Sequence, residues 1–131
     1  MIGRRTATVL MGIVAWGSAL AGPGDPARGK AVFLDRDLGH CVLCHQVKSL
    51  DVPFQGNIGP DLSNVGLRLS RKVLLNKIID PSLSNPETTM PAYHRTSGLT
   101  QVQGEFRDRP ILSREEVDDL VAYLQTLRNG S

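Results

Sequence analysis

Apolar residues recur at helical spacing in three stretches of the chain, and nowhere do they alternate as a half-buried strand requires. Near the C-terminus Val117, Leu120, Val121, Leu124 and Leu127 keep an i, i+3, i+4 rhythm. Ser113-Arg114-Glu115-Glu116 precedes them and reads as a capping box, with Ser113 as N-cap and Glu116 reaching back. Arg128 falls where a cation suits the end of a helix, and Gly130 suits the exit. A second helix starts at Ser70, a natural N-cap, and carries Val73, Leu74, Leu75, Ile78 and Ile79. Its Leu74/Ile78 and Leu75/Ile79 pairs give one apolar face, and Asp80-Pro81 ends it. A third helix opens at Asp25-Pro26, Asp as N-cap and Pro at the first helical position, and runs to about Leu34 or Asp35. Ala31 and Phe33 are its expected buried residues, and Gly29 is a notch for close contact with the C-terminal helix.

Between these helices lie two long irregular stretches. Gln46 to Leu69 contains Pro53, Gly56, Gly59, Pro60 and Gly66; Pro81 to Leu112 contains Pro86, Pro91, Gly98, Gly104 and Pro110. Loops beyond ~15 residues are uncommon in compact domains unless they serve a site. The pattern predicts an all-α domain whose long loops wrap something, with at most one short hairpin between Tyr93 and Val102 to Phe106.

The N-terminus has a different character. Arg4 and Arg5 precede an apolar run from Thr6 to about Ala21, and Ala19-Leu20-Ala21 fits the small-x-small rule for signal peptidase. Residues 1–21 therefore read as a cleaved signal peptide and 22–131 as one domain. The run is shorter than the ~20 residues a membrane span needs, so no span is expected after cleavage. The chain has 15 Lys and Arg against 13 Asp and Glu. Cleavage removes Arg4 and Arg5 and no acid, so the mature charges balance, which argues against a nucleic-acid partner. It also removes Trp16, Met1 and Met11 and leaves Met90 as the single methionine. Few aromatics and much Gly and Pro imply a thin core that needs an added apolar centre.

The chemistry that could supply one sits at Cys41-Val42-Leu43-Cys44-His45, which uses both cysteines of the chain. Cys-x-x-Cys-His is the attachment pattern of c-type haem: each thiol forms a thioether to the porphyrin, and the histidine becomes an axial iron ligand. A zinc half-site would need further ligands and has no second cysteine pair. A redox-active disulfide would leave His45 and Met90 without a role. The sixth ligand is expected to be Met90, in the long downstream loop beside Pro91, because a neutral thioether opposite imidazole is a common haem pair. His94 is its competitor, while His40 directly precedes Cys41 and reads as a solvent-edge residue. An axial histidine needs an acceptor for its outer nitrogen. The Pro60 carbonyl in Gly59-Pro60 is the candidate, unless this is an ordinary Gly-Pro turn. Arg68, Arg71, Lys72 and Lys77 form a basic cluster that either meets haem propionates or a partner's acidic surface, or is a solvated face.

These residues resemble class I cytochromes c: Gly29 and Phe33, Cys41 to His45, Gly59-Pro60, a methionine loop and an amphipathic last helix. The chain is similar in particular to the SoxX family, the small subunits of SoxAX sulfur-oxidation cytochromes. Gly56 to Leu62, Thr89-Met90-Pro91-Ala92-Tyr93, and Arg109-Pro110-Ile111-Leu112 leading into Glu116 to Leu124 carry that likeness. The resemblance implies a cytochrome c-like fold around one covalent haem c and a periplasmic heterodimer with a SoxA-like cytochrome subunit. It implies a thiosulfate carrier protein as substrate of the complex and a downstream electron-accepting cytochrome. Pairs of this kind are L-cysteine S-thiosulfotransferases that couple thiosulfate oxidatively to a carrier cysteine. The catalytic cysteine is expected on the larger subunit, so this chain would handle electrons, with His45 and Met90 as its iron ligands. The alternative is a free-standing periplasmic electron carrier.

Overall fold

The computed structural model describes residues 24–129; the signal-peptide assignment to residues 1–21 and the exit role of Gly130 lie outside them. Four helices occur among the described residues: α1 (Pro26–Leu34), α2 (Val65–Arg68), α3 (Arg71–Ile79) and α4 (Arg114–Thr126). Single 3₁₀ turns cover Cys41–Leu43, Pro81–Leu83 and Gly104–Phe106, and no strand occurs among the described residues. The all-α expectation holds, and α1, α3 and α4 begin where their caps predict. The Asp25 carboxylate accepts from the Ala27 and Arg28 amides at 2.7 and 3.3 Å. Ser70 Oγ accepts from Val73. The Ser113 capping box is complete: the Glu116 amide donates to Ser113 Oγ (3.2 Å) and the Ser113 amide to Glu116 Oε2 (2.7 Å).

The core is the crossing of α1 and α4. A Cβ at Gly29 would lie 2.0 Å from the Asp119 carbonyl oxygen and 2.9 Å from Tyr123 Cβ, so only glycine allows this approach. Phe33 is fully buried and meets Tyr123 edge-on, with ring centroids 5.5 Å apart. Val117, Leu120, Val121 and Leu124 bury the opposing face of α4, and Leu74 and Ile78 add the inner face of α3. Ala31 is exposed, contrary to expectation; Val32 is buried in its place, one position along the turn. The expected hairpin is absent too. Residues 104–106 form a 3₁₀ turn, and Tyr93 pairs instead with Leu112, whose amide donates to the Tyr93 carbonyl at 2.8 Å.

Charged groups complete the helix contacts. Asp119 is almost fully buried and accepts from the Asp25 amide (2.6 Å), Arg28 Nε (2.7 Å) and Arg28 Nη2 (3.1 Å). Those donors satisfy a carboxylate that burial alone would make costly. The Arg28 hydrogen bond holds its carboxyl below the usual aspartate range, against the opposing pull of burial. Asp118 takes Arg71 at 2.6 Å and Arg114 at 3.1 Å, tying the start of α3 to α4. The Gly66 amide of α2 donates to the Leu127 carbonyl just past α4 (2.9 Å).

Candidate haem site

The cysteine motif begins at a backbone pivot. His40 takes the left-handed conformation (φ 43°, ψ 42°), which costs a non-glycine residue ~1–2 kcal/mol but is tolerated more often by His than by most side chains. From it the chain winds through the 3₁₀ turn Cys41–Leu43, with the amides of Cys44 and His45 both donating to the Cys41 carbonyl (3.1 and 2.9 Å). His40 is thus the hinge that starts the turn, a role its position beside Cys41 did not reveal.

The second wall is the 56–60 segment. The Gly56 amide donates to Val42 O and the Gly59 amide to Cys44 O, each at 2.8 Å. His45 Nδ1 lies 2.8 Å from the Pro60 carbonyl oxygen. A carbonyl only accepts, so Nδ1 carries a proton and donates it, and in the neutral ring Nε2 keeps its lone pair. The imidazole lies against Gly59, where a Cβ would come within 2.3 Å of Cε1 and 2.6 Å of Nδ1. The ring is therefore held in place, with Nδ1 engaged by Pro60.

Cys41 and Cys44 are both free and half-buried. Burial pushes the Cys41 thiol up to about 12, so its surroundings are apolar, and Cys44 adds to the shift. The methionine loop reaches the same place. Tyr93 Oη donates to the Gly39 carbonyl at 3.1 Å, two residues before Cys41, and a Cβ on Gly39 would lie 3.1 Å from Cys41 Sγ. Burial, with the two cysteines adding, pushes the Tyr93 hydroxyl up to about 12. Met90 is half-buried in this loop, packed against the core, with its amide on Thr88 Oγ1 at 3.2 Å. His94 Nδ1 is 2.8 Å from the Leu112 carbonyl. Two members of the basic cluster act within the fold: Arg71 pairs with Asp118, and Arg68 reaches Asp61 O (2.7 Å) and Asn64 Oδ1 (3.1 Å).

No group of three or more His, Cys, Asp or Glu side chains able to hold a metal ion occurs among the described residues. One groove, of about 370 Å³, runs between α1 and the start of α4 and shares no residue with the cysteine turn. Its lining mixes Arg28, Asp35, Glu115, Glu116 and the buried Asp119 with Ala31, Val32 and Leu38, and carries none of this chemistry. At the turn two thiols, that of Cys41 in an apolar setting, lie beside an imidazole oriented by Pro60, a donor set that fits covalent haem.

The comparisons agree with this geometry. The cytochrome c family model matches residues 26–128, and the chain belongs to the cytochrome c family. It carries haem c, for which Cys41 and Cys44 in Cys-x-x-Cys-His are the attachment pattern. A search among curated proteins found no match. Among solved structures, the chain is similar to a chain of SoxXA from P. pantotrophus, at 32% identity and a TM-score of 0.75, covering 82% of this chain and 84% of that one. Within the family the protein is a SoxX-like cytochrome. No helix among the described residues is long and apolar enough to cross a membrane.

Proposed function

We propose that the protein loses Met1 to Ala21 on export and works in the periplasm as the monohaem small subunit of a SoxAX-type L-cysteine S-thiosulfotransferase, paired with a SoxA-like cytochrome. In this reading Cys41 and Cys44 would hold the haem by thioethers, and His45 Nε2 and the Met90 thioether would ligate its iron. The 2.8 Å contact of His45 Nδ1 with the Pro60 carbonyl carries the assignment, because it fixes the ring and frees Nε2. Leu43, Ile58 and Leu83, each near one of these groups in sequence, are 60%, 74% and 81% exposed in the polypeptide alone, which supports an apolar macrocycle as their cover.

The bound haem supplies a one-electron ferric/ferrous couple. The chain's residues orient it and tune it. Nδ1–H donation to Pro60 makes the imidazole more electron-rich, Gly59 sets the ring position, and the Met90 sulfur favours the reduced iron. In the coupled reaction the outer sulfur of thiosulfate bonds to a carrier cysteine sulfur; the thiol proton goes to solvent and two electrons leave. With His45 and Met90 both holding the haem iron, the site would leave no place for substrate and would supply one-electron uptake, while the reactive cysteine would belong to the partner. A downstream cytochrome is the onward acceptor.

The test is purification of the native complex, assayed with thiosulfate and carrier protein. A stable one-to-one pair with a second haem protein and thiosulfate-dependent haem reduction are expected. A lone monomer under gentle conditions refutes the subunit role and leaves the free-standing carrier. Met90→Ala should keep covalent haem, lower the reduction potential and change the visible spectrum; an unchanged spectrum removes Met90 from the iron.

A further inference from the structure

We infer that Tyr93-His94-Arg95 is a clasp closing the neck of the Met90 loop, and that His94 is a positioning residue for Met90 through its bond to Leu112, not an iron ligand. This rests on Met90 being the sixth ligand. The loop leaves α3 at Asp80 and returns to the same point. The Tyr93 amide donates to Ile78 O (3.1 Å), and those of His94 and Arg95 to Ile79 O (3.4 and 3.3 Å). These bonds satisfy carbonyls that the end of α3 would otherwise leave unpaired. Arg95 Nε forms an ion pair with Asp80 Oδ2 at 3.1 Å, joining the last residue of the loop to its first over a nearly buried carboxylate.

A second tie runs to α4. Leu112 is fully buried and immediately precedes the Ser113 cap. Its amide donates to the Tyr93 carbonyl and its carbonyl accepts from His94 Nδ1, both at 2.8 Å. That pair grips the loop through both backbone groups of one residue, Leu112. A third tie, Tyr93 Oη to the Gly39 carbonyl, reaches the chain just before Cys41. The Met90 amide bonds only locally, to Thr88, and its half-buried side chain packs against the core without a polar tie. The free energy of swinging its sulfur off the iron is therefore set at the neck, four residues away, where the loop is fastened to the rest of the fold.

Imidazole binding to the ferric holoprotein reads this directly, because added imidazole occupies iron only when Met90 departs. His94→Leu removes the donor; His94→Asn keeps one, since its side-chain amide nitrogen occupies nearly the place of Nδ1. His94→Leu should bind imidazole about tenfold more tightly, the net worth of one intramolecular hydrogen bond, and show a weaker far-red sulfur-to-iron band. His94→Asn should stay within about threefold of the parent. Equal imidazole affinity in His94→Leu and the parent overturns the clasp, as does an Asn variant as loose as the Leu variant. Should His94→Leu not accumulate, nitrogen NMR of the parent decides: a protonated Nδ1 at His94 supports the clasp and a bare one overturns it. A parent lacking the far-red band refutes Met90 ligation and the clasp's role together, which separates that failure from failure of the clasp alone.

Discussion

Gly59→Ala is the sharpest probe of the proximal site. The added Cβ would lie 2.3 Å from His45 Cε1 and 2.6 Å from Nδ1, whereas ordinary contact is ~3.5–4.0 Å, so ring and loop must separate by roughly 1 Å or more. The Nδ1 to Pro60 distance is 2.8 Å, and that retreat takes it past ~3.6 Å, where no hydrogen bond remains. Overpacking of this kind costs ~1–3 kcal/mol and the lost hydrogen bond ~1 kcal/mol, so the holoprotein should lose about 2–4 kcal/mol of stability. An imidazole that no longer donates from Nδ1 is a poorer electron donor, so the reduction potential should rise. Denaturant unfolding of the oxidised protein and potentiometric titration measure the two effects. Gly104→Ala is the control, since its Cβ meets nothing within 4 Å, and it should stay within ~0.5 kcal/mol of the parent. If Gly59→Ala matches that control in stability and leaves the potential unmoved, the ring is not held by this wall.

Other substitutions test the frame. Gly29→Ala places a Cβ 2.0 Å from the Asp119 carbonyl oxygen and should cost more than the ~1–3 kcal/mol of side-chain overpacking, because backbone must move; unfolding curves check this. Asp119→Asn leaves Arg28 and the Asp25 amide with a weaker partner and should cost about 2–3 kcal/mol at neutral pH. The folded Asp119 carboxyl sits below its ordinary value of 3.8, so its contribution is complete above that value and lost as pH falls toward the depressed one. Stability measured against pH should accordingly fall less steeply below pH 3.8 in the variant than in the parent. Ser113→Ala removes one half of the capping box and should cost ~1 kcal/mol by thermal or denaturant unfolding, an effect absent from Ser97→Ala in the exposed loop.

What could be read from the residues follows what is local. Ser70, Ser113 and Asp25 are caps because their side chains bond amides two or three positions on, so each is visible in a short window of sequence. Gly29 was legible for a related reason: a glycine in a helical window facing a second amphipathic helix has few other uses. The register of α1 was less secure. The apolar residues of α1 run consecutively from Ala31 to Leu34, which leaves the choice between Ala31 and Val32 to the crossing angle with α4, which no local pattern contains. Helix α2 was missed because it is four residues long, has no side-chain cap, and is held by a bond from Gly66 to Leu127 on the far side of the chain. The His94 and Arg95 contacts were illegible for the same cause. Their partners are the carbonyls of Ile79 and Leu112 and a distant carboxylate, and a backbone acceptor has no residue-type signature.

On the proposed ligation the site has two sides, the cysteine turn with His45 and the methionine loop, each a wall held in register through α4. The cysteine turn follows α1, and α1 is fixed to α4 by Gly29, by Phe33 against Tyr123, and by the Asp119 carboxylate. The methionine loop follows α3, which is fixed to α4 by Arg71 on Asp118, and its return is fixed by Leu112 at the head of α4. Each wall is thus referred to one thirteen-residue helix rather than to the other wall, apart from the Tyr93 to Gly39 bond. A displacement at the α1–α4 crossing moves the His45 side and leaves the Met90 side behind. Gly29→Ala, remote from the cysteines in sequence, should therefore disturb the iron's ligand spectrum as well as stability, whereas Ser113→Ala, which loosens the cap beside Leu112, should act on the Met90 side. Equal imidazole affinity in the Ser113→Ala variant and the parent, with stability lowered, would show that α4 supports the fold without setting the distance between the walls.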